Sequence, residues 1–203
     1  MGKLKRISPR KEPVQQRSFE LRAAILEAAT YVLKKEGALG FTTNKVAEKA
    51  GVNIASFYQY YPNKESLLFH MVEMEWTTTF DAIFPILADE TKSHRERLTV
   101  FIEKFYQTEA EESVLRHAMN SAGVAIENTI EYRSLQEKSD AVITAFFSEA
   151  LKISNKTELR MKIEFIQNVV FSFSENRPAD DWHDPLKNAG MMADMLCTYF
   201  NIS

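Results

Sequence analysis

The chain is poor in the residues that interrupt, cross-link or metallate a fold. One cysteine among 203 residues excludes an internal disulfide. Cys197 sits in an apolar stretch beside Met195, Leu196 and Phe200, and reads as a buried structural thiol rather than a redox sensor. Six glycines and six prolines leave long uninterrupted segments in which apolar residues recur at three and four and strand-like alternation is absent. No run of about 18 apolar residues occurs, and the N-terminus lacks the apolar core of a signal peptide, so the protein is expected in the cytoplasm and not in a membrane. The histidines His70, His94, His117 and His183 are scattered without i, i+4 pairing or cysteine partners; each reads as a surface or half-buried side chain, and no metal site is expected. No phosphate-binding glycine loop, nucleophile elbow or dinucleotide fingerprint occurs, so neither catalytic residues nor a cofactor are expected. Glu109, Glu111 and Glu112, like Asp180 and Asp181, read as solvated helix ends or loops.

What remains is helical patterning from end to end. With 45% hydrophobic residues the chain can bury a full core, divided into one small and one larger domain. The spacing predicts an all-α protein of about nine helices, near residues 17–36, 43–50, 54–60, 63–83, 93–109, 112–121, 128–153, 156–176 and 185–199. Pro85 is expected to end or kink the fourth. Turn chemistry marks loops at 153–156 and 176–181. The expected organisation is a flexible basic arm over 1–16, a three-helix domain over 17–62, and a helical domain over 63–203.

Net charge conceals an asymmetry. The total is −3, yet up to Lys64 there are 12 Lys or Arg against 5 Glu, and from Glu65 onward 13 against 23 acidic residues. A basic head on an acidic body directs one end toward phosphates. Lys3, Lys5, Arg6, Arg10 and Lys11 precede any helical pattern and read either as a solvated tail or as an arm that touches DNA backbone or minor groove.

Within that head, residues 42–68 spell two short helical patterns joined by a glycine turn, a break at Pro62-Asn63, and a third helix start at Lys64-Glu65. Ala47 puts a small side chain on the inner face of the first short helix, and Gly51 can adopt the left-handed conformation that ends it. Val46, Ala50, Val52 and Phe57 supply the inner contacts, and Asn53 is placed to cap the second helix. A helix-turn-helix of this kind presents its second helix to the DNA major groove.

The stretch from Arg22 to Leu68 resembles the DNA-binding domain of the tetracycline-repressor (TetR) family of bacterial regulators. Arg22, Ile25-Leu26, Ala28-Ala29, Leu33, Glu36 and Gly37 are similar to the family's first helix, and Phe41-Thr42-Thr43 with Val46-Ala47 to the start of its second. Ala50-Gly51-Val52-Asn53 resembles its turn. Ser56-Phe57-Tyr58-Gln59-Tyr60-Tyr61, then Lys64-Glu65 and Leu67-Leu68, resemble its recognition helix and the beginning of the fourth. Asn53, Ile54 and Gln59 depart from the family's usual serine, small or basic residue, and histidine, so no particular operator is inherited.

Residue chemistry sorts the candidate DNA contacts. Tyr58, Tyr60 and Lys64 can donate to phosphate oxygens, Lys64 beside free helix N-terminal amides. Gln59 can pair with an adenine edge, Ser56 can donate or accept, and Ile54 with Ala55 can pack on thymine methyls. Thr42 or Thr43 caps the second helix and can also bond a phosphate, while Asn44 or Lys45 can reach the groove edge; Asn53 completes the set. Tyr60 and Tyr61 are both candidates for the core of the small domain, with Tyr61 favoured as core and Tyr60 as surface.

In the eighth predicted helix, Leu159, Ile163, Ile166, Val170 and Phe173 form one stripe, which Phe165, Val169 and Ser172 widen beyond a single core contact. The family resemblance implies a homodimer through the last two helices, the ninth carrying Met191, Met192, Met195, Leu196 and Phe200, and with it a palindromic double-stranded DNA operator. It also implies a small-molecule effector. Met71, Met74, Phe80, Phe84, Phe101, Phe105, Met119, Phe146 and Phe147 suit either an apolar pocket or plain core packing. Met74, Glu75, Phe101, Phe105, Phe147, Phe165 and Asn168 are the pocket candidates, Glu75 and Asn168 as polar anchors. The expected function is a ligand-released repressor. The alternatives are a DNA-bound adaptor whose larger domain binds a protein, and a helical enzyme, which no motif supports.

Overall fold

The computed structural model describes residues 16–121, 129–174 and 179–203. Among them stand α1 (Gln16–Gly40), α2 (Thr43–Lys49), α3 (Ile54–Tyr60), α4 (Lys64–Leu87), α5 (His94–Ser121), α6 (Ile130–Leu151), α7 (Lys156–Ser174) and α8 (Pro185–Phe200), with a 3-10 turn at Ala179–Trp182. The fold is all-α, as the spacing predicts, with eight α-helices among the described residues rather than nine. The predicted helices at 93–109 and 112–121 are one, α5, because Glu109-Ala110-Glu111-Glu112 holds no breaker and both glutamate and alanine favour helix. Pro85 does not end α4; it lies in the last turn, exposed, where water can serve the carbonyl that loses its donor. The basic arm and part of the 176–181 loop lie outside the described residues.

Local chemistry sets the helix ends. Helical geometry in α1 breaks at Gly37, whose φ of 67° only glycine adopts readily. Ser93 and Glu96 form a capping box: the Ser93 N–H donates to Glu96 Oε2 at 2.9 Å and the Glu96 N–H to Ser93 Oγ at 3.2 Å. Asn155 Oδ1 accepts from the Thr157 and Glu158 amides to start α7. Asp184, followed by Pro185, starts α8, and Asn201 at φ 54° ends it.

The described residues divide into two compact units, one drawn from 16–75 and 114–133, the other from 76–113 and 134–203. In the first, α1 packs on α2 and α2 on α3, and Ile25, Ala29, Val46, Phe57, Tyr61, Leu67 and Leu68 are fully buried. This unit runs past residue 62 because Leu67, Leu68, Met71 and Val72 of α4 are buried residues of it. In the second, one apolar cluster joins Ile83, Phe101, Ile102, Tyr106, Ile143, Phe147, Ile163, Ile166, Trp182 and Leu196. The Tyr106 hydroxyl donates to the Val170 carbonyl at 3.2 Å, fastening α5 to α7. Cys197 is buried in this cluster, and burial pushes its thiol up, away from the reactive thiolate. Among the described residues no helix is long and apolar enough to cross a membrane.

Candidate nucleic-acid interface

Three backbone devices set α3 at an angle to α2. Thr42 Oγ1 accepts from the Lys45 amide at 3.3 Å, capping α2. Gly51 takes φ 67°, and the Val52 amide returns to the Ala47 carbonyl at 3.0 Å, closing the helix end. Asn53 Oδ1 then accepts from the Ala55 amide at 2.7 Å, capping α3. Thr42 and Asn53 are thereby committed to the backbone, and both stand exposed at the two helix starts.

The faces of α3 separate cleanly. Phe57 is fully buried, and its ring meets Tyr58 and Tyr61 with centroids 5.5 and 5.8 Å away. Ile54, Ala55, Tyr58 and Gln59 are exposed, and Ser56 is half-buried. Tyr58 is tied to α2 by its hydroxyl, 3.2 Å from that of Thr43. Asn44 is exposed; Lys45 is too, with Nζ 2.9 Å from Glu36, whose carboxyl it holds below the usual range. Lys64, half-buried, opens α4. Tyr60 corrects the expectation of a surface residue: it is only 8% exposed, because positions 57, 60 and 61 share one helical face. Tyr61 is core, as expected.

Beneath this surface lies a polar knot that sequence reasoning missed. His70, read as a surface or half-buried residue, is buried at 7% exposure. Arg22 Nη2 stands 2.7 Å from His70 Nε2, and Tyr61 Oη stands 2.7 Å from His70 Nδ1. A guanidinium only donates, so Nε2 accepts and the ring proton sits on Nδ1, donating to Tyr61. Burial and then the Arg22 charge lower the His70 pKa to about 4, so the ring is neutral at pH 7. The knot joins α1, the end of α3 and α4. Its one local signal is a histidine next to Met71 on an apolar helix face, where a buried ring needs partners.

Of the pocket candidates, Phe101 and Phe147 belong to the apolar cluster of the second unit, and Phe105 packs against it. Phe101 stacks on Phe105 at 6.5 Å and Phe105 meets Phe171 at 5.1 Å, within an aromatic ladder that also includes Phe84. Phe147 is buried against Phe146 instead. Phe165 is 53% exposed and pairs with Phe200, and Asn168 is exposed; both lie off the buried stripe of α7. Met74 and Glu75 are exposed residues of the first unit.

The family model for bacterial regulatory proteins of the TetR family matches residues 25–71, the segment that holds the helix-turn-helix. Those residues form a TetR-family DNA-binding domain. An HTH-type transcriptional regulator of Staphylococcus aureus is 23% identical over 156 residues, 77% of this chain and 83% of that protein. Among solved structures, the TetR-family regulator PfmR of Thermus thermophilus superposes with a TM-score of 0.65 at 16% identity, covering 85% of this chain and 96% of its own. FadR of Bacillus subtilis, solved in complex with stearoyl-CoA, superposes with a TM-score of 0.61 at 16% identity, covering 86% and 96%. This TetR protein is therefore a DNA-binding transcriptional regulator, in a family of regulators rather than enzymes. Among the described residues no cluster of His, Cys, Asp and Glu could hold a metal ion.

Proposed function

We propose that the protein is a homodimeric repressor that reads a palindromic operator and is released by a small, mostly apolar ligand. The observation that carries the DNA-reading half is the division of α3, with Phe57 and Tyr60 buried and Ile54, Ala55, Tyr58 and Gln59 open. Gln59 reads an adenine edge, Ile54 and Ala55 meet thymine methyls, and Tyr58, Thr43 and Lys64 hold the phosphates.

Dimerisation is supported by a second apolar face. Met161 and Phe165 on α7, and Met191, Met195 and Tyr199 on α8, are 50–74% exposed in the single chain. So many large apolar side chains on two neighbouring helices call for a cover, and a second copy supplies one with two-fold symmetry. Two recognition helices then read two half-sites about one DNA turn, or a modest multiple, apart.

Ligand release is supported by the aromatic second unit and by analogy with FadR, which binds stearoyl-CoA. Helix α4 is the natural lever: it opens with Lys64 after the recognition helix and runs unbroken to Leu87. A ligand that prefers one α4 position over another disfavours DNA reciprocally, and a coupling of about 1 to 3 kcal/mol changes operator affinity roughly 5- to 150-fold. The test is a fluorescence titration of a half-site pair. Two chains per duplex, followed by release with an apolar effector from a compound panel, supports the reading; one chain per duplex, or DNA binding indifferent to every bound compound, overturns it.

A further inference from the structure

Where the end of α4, the start of α5 and α6 meet, the second unit holds a cleft of about 360 Å³ lined by Leu87, Ala88, Arg97, Val142, Ala145 and Phe146. Arg97 is only 5% exposed. Its Nη1 donates to the Leu87 carbonyl at 2.9 Å, and its guanidinium lies 5.4 Å from the centre of the Phe146 ring. Its Nε is buried and donates to nothing, and no carboxylate stands within salt-bridge reach of it among the described residues.

A cap on one helix carbonyl uses one of the five donors of a guanidinium and supplies no full negative charge. Burying an arginine for that alone is costly, since a charge out of water needs a counter-ion. Glu90 and Glu149 lie at the cleft but are exposed, and Glu149 is 3.9 Å from His94 Nε2 rather than on Arg97. The site thus combines apolar walls with a planar, charged fork that lacks its partner. That is the chemistry of carboxylate recognition, in which two parallel N–H donors meet two oxygens.

We propose that this cleft binds a small amphipathic monocarboxylate, its headgroup on Arg97 and its apolar body on Val142, Ala145 and Phe146. Glu90 and Glu149 at the cleft repel a group carrying several negative charges, which selects a single carboxylate over a phosphate ester. The inference deepens the ligand-release reading by naming the effector class, and it rests on that reading only for its regulatory consequence.

The test uses the full chain without DNA, octanoate as the probe, 1-octanol as its neutral counterpart, and methyl NMR signals of Leu87, Val142 and Ala145 as the readout. Octanoate should shift these signals saturably and bind more tightly than octanol by roughly tenfold or more. Arg97→Gln, which keeps a donor for the Leu87 carbonyl, should erase that difference. Ala145→Trp, introduced at an exposed helix position, should block both probes with Arg97 intact, and it decides the matter if Arg97→Gln does not fold. Equal binding of octanoate and octanol, or shifts that map elsewhere in the chain, overturns the proposal. Operator release is read separately by fluorescence anisotropy. A cleft that saturates without release upholds the site and refutes its regulatory use, whereas release by another compound without octanoate binding overturns the site alone.

Discussion

Replacing His70 by glutamine should flatten the acid side of the protein's stability curve. In the folded chain the ring is wedged between Arg22 and Tyr61, each 2.7 Å away, and it titrates near 4 rather than 6.5. The unfolded chain binds the proton first. Stability is therefore fully present above pH 6.5 and is lost as pH falls from 6.5 toward 4, where protonation would set a second buried cation against Arg22. The whole interval corresponds to about 3 kcal/mol, and about 1 kcal/mol is already gone at pH 5.5. Glutamine can accept from Arg22 through Oε1 and donate to Tyr61 through its amide, preserving the bonds without the titration. Urea unfolding followed at pH 7.5 and 5.5 checks the difference: the wild-type midpoint should fall further than that of the variant, by roughly 0.3 to 1 M. If both lose stability equally over this range, His70 is not held neutral by the buried knot, and its bonds to Arg22 and Tyr61 are not as described.

Gln59→Ala should relax preference at one base pair per half-site by about 1 to 3 kcal/mol, measured by competition with single-base operator variants; an equal loss on specific and random DNA removes Gln59 from the reading set. Lys64→Ala should weaken binding to every sequence and lower the salt slope by about one phosphate contact, and an unchanged slope with unchanged low-salt affinity rejects its phosphate role. Met191→Asp with Tyr199→Asp, at positions 66% and 74% exposed in the single chain, should leave the fold intact by circular dichroism while sedimentation shows monomers. A double variant that sediments as the wild type does would place the dimer contact elsewhere.

The DNA-reading head was legible because its determinants are local. Thr42, Gly51 and Asn53 each act within a few residues of chain, so spacing alone identifies the caps and the turn. Tyr60 was misassigned although its spacing from Phe57 is helical, because a hydroxyl beside Gln59 suggests a phosphate contact as readily as it suggests packing. The Arg22–His70 bond spans 48 residues, so no local spacing links its two partners. The apolar stripe of α7 was readable at Leu159, Ile163, Ile166 and Val170, all buried. Phe165 sits about 100° around the helix from Ile166, so its side chain leaves the core and joins the exposed face. Residue type alone does not separate a pocket wall from core packing, since phenylalanine fills a core and lines a cavity with equal ease.

Selection of bound fragments from a random duplex pool by the purified protein tests DNA reading, symmetry and half-site spacing together. An enriched palindrome, with half-sites about one helical turn or a modest multiple apart, is the predicted result. No enrichment at either low or moderate salt would contradict a sequence-reading dimer.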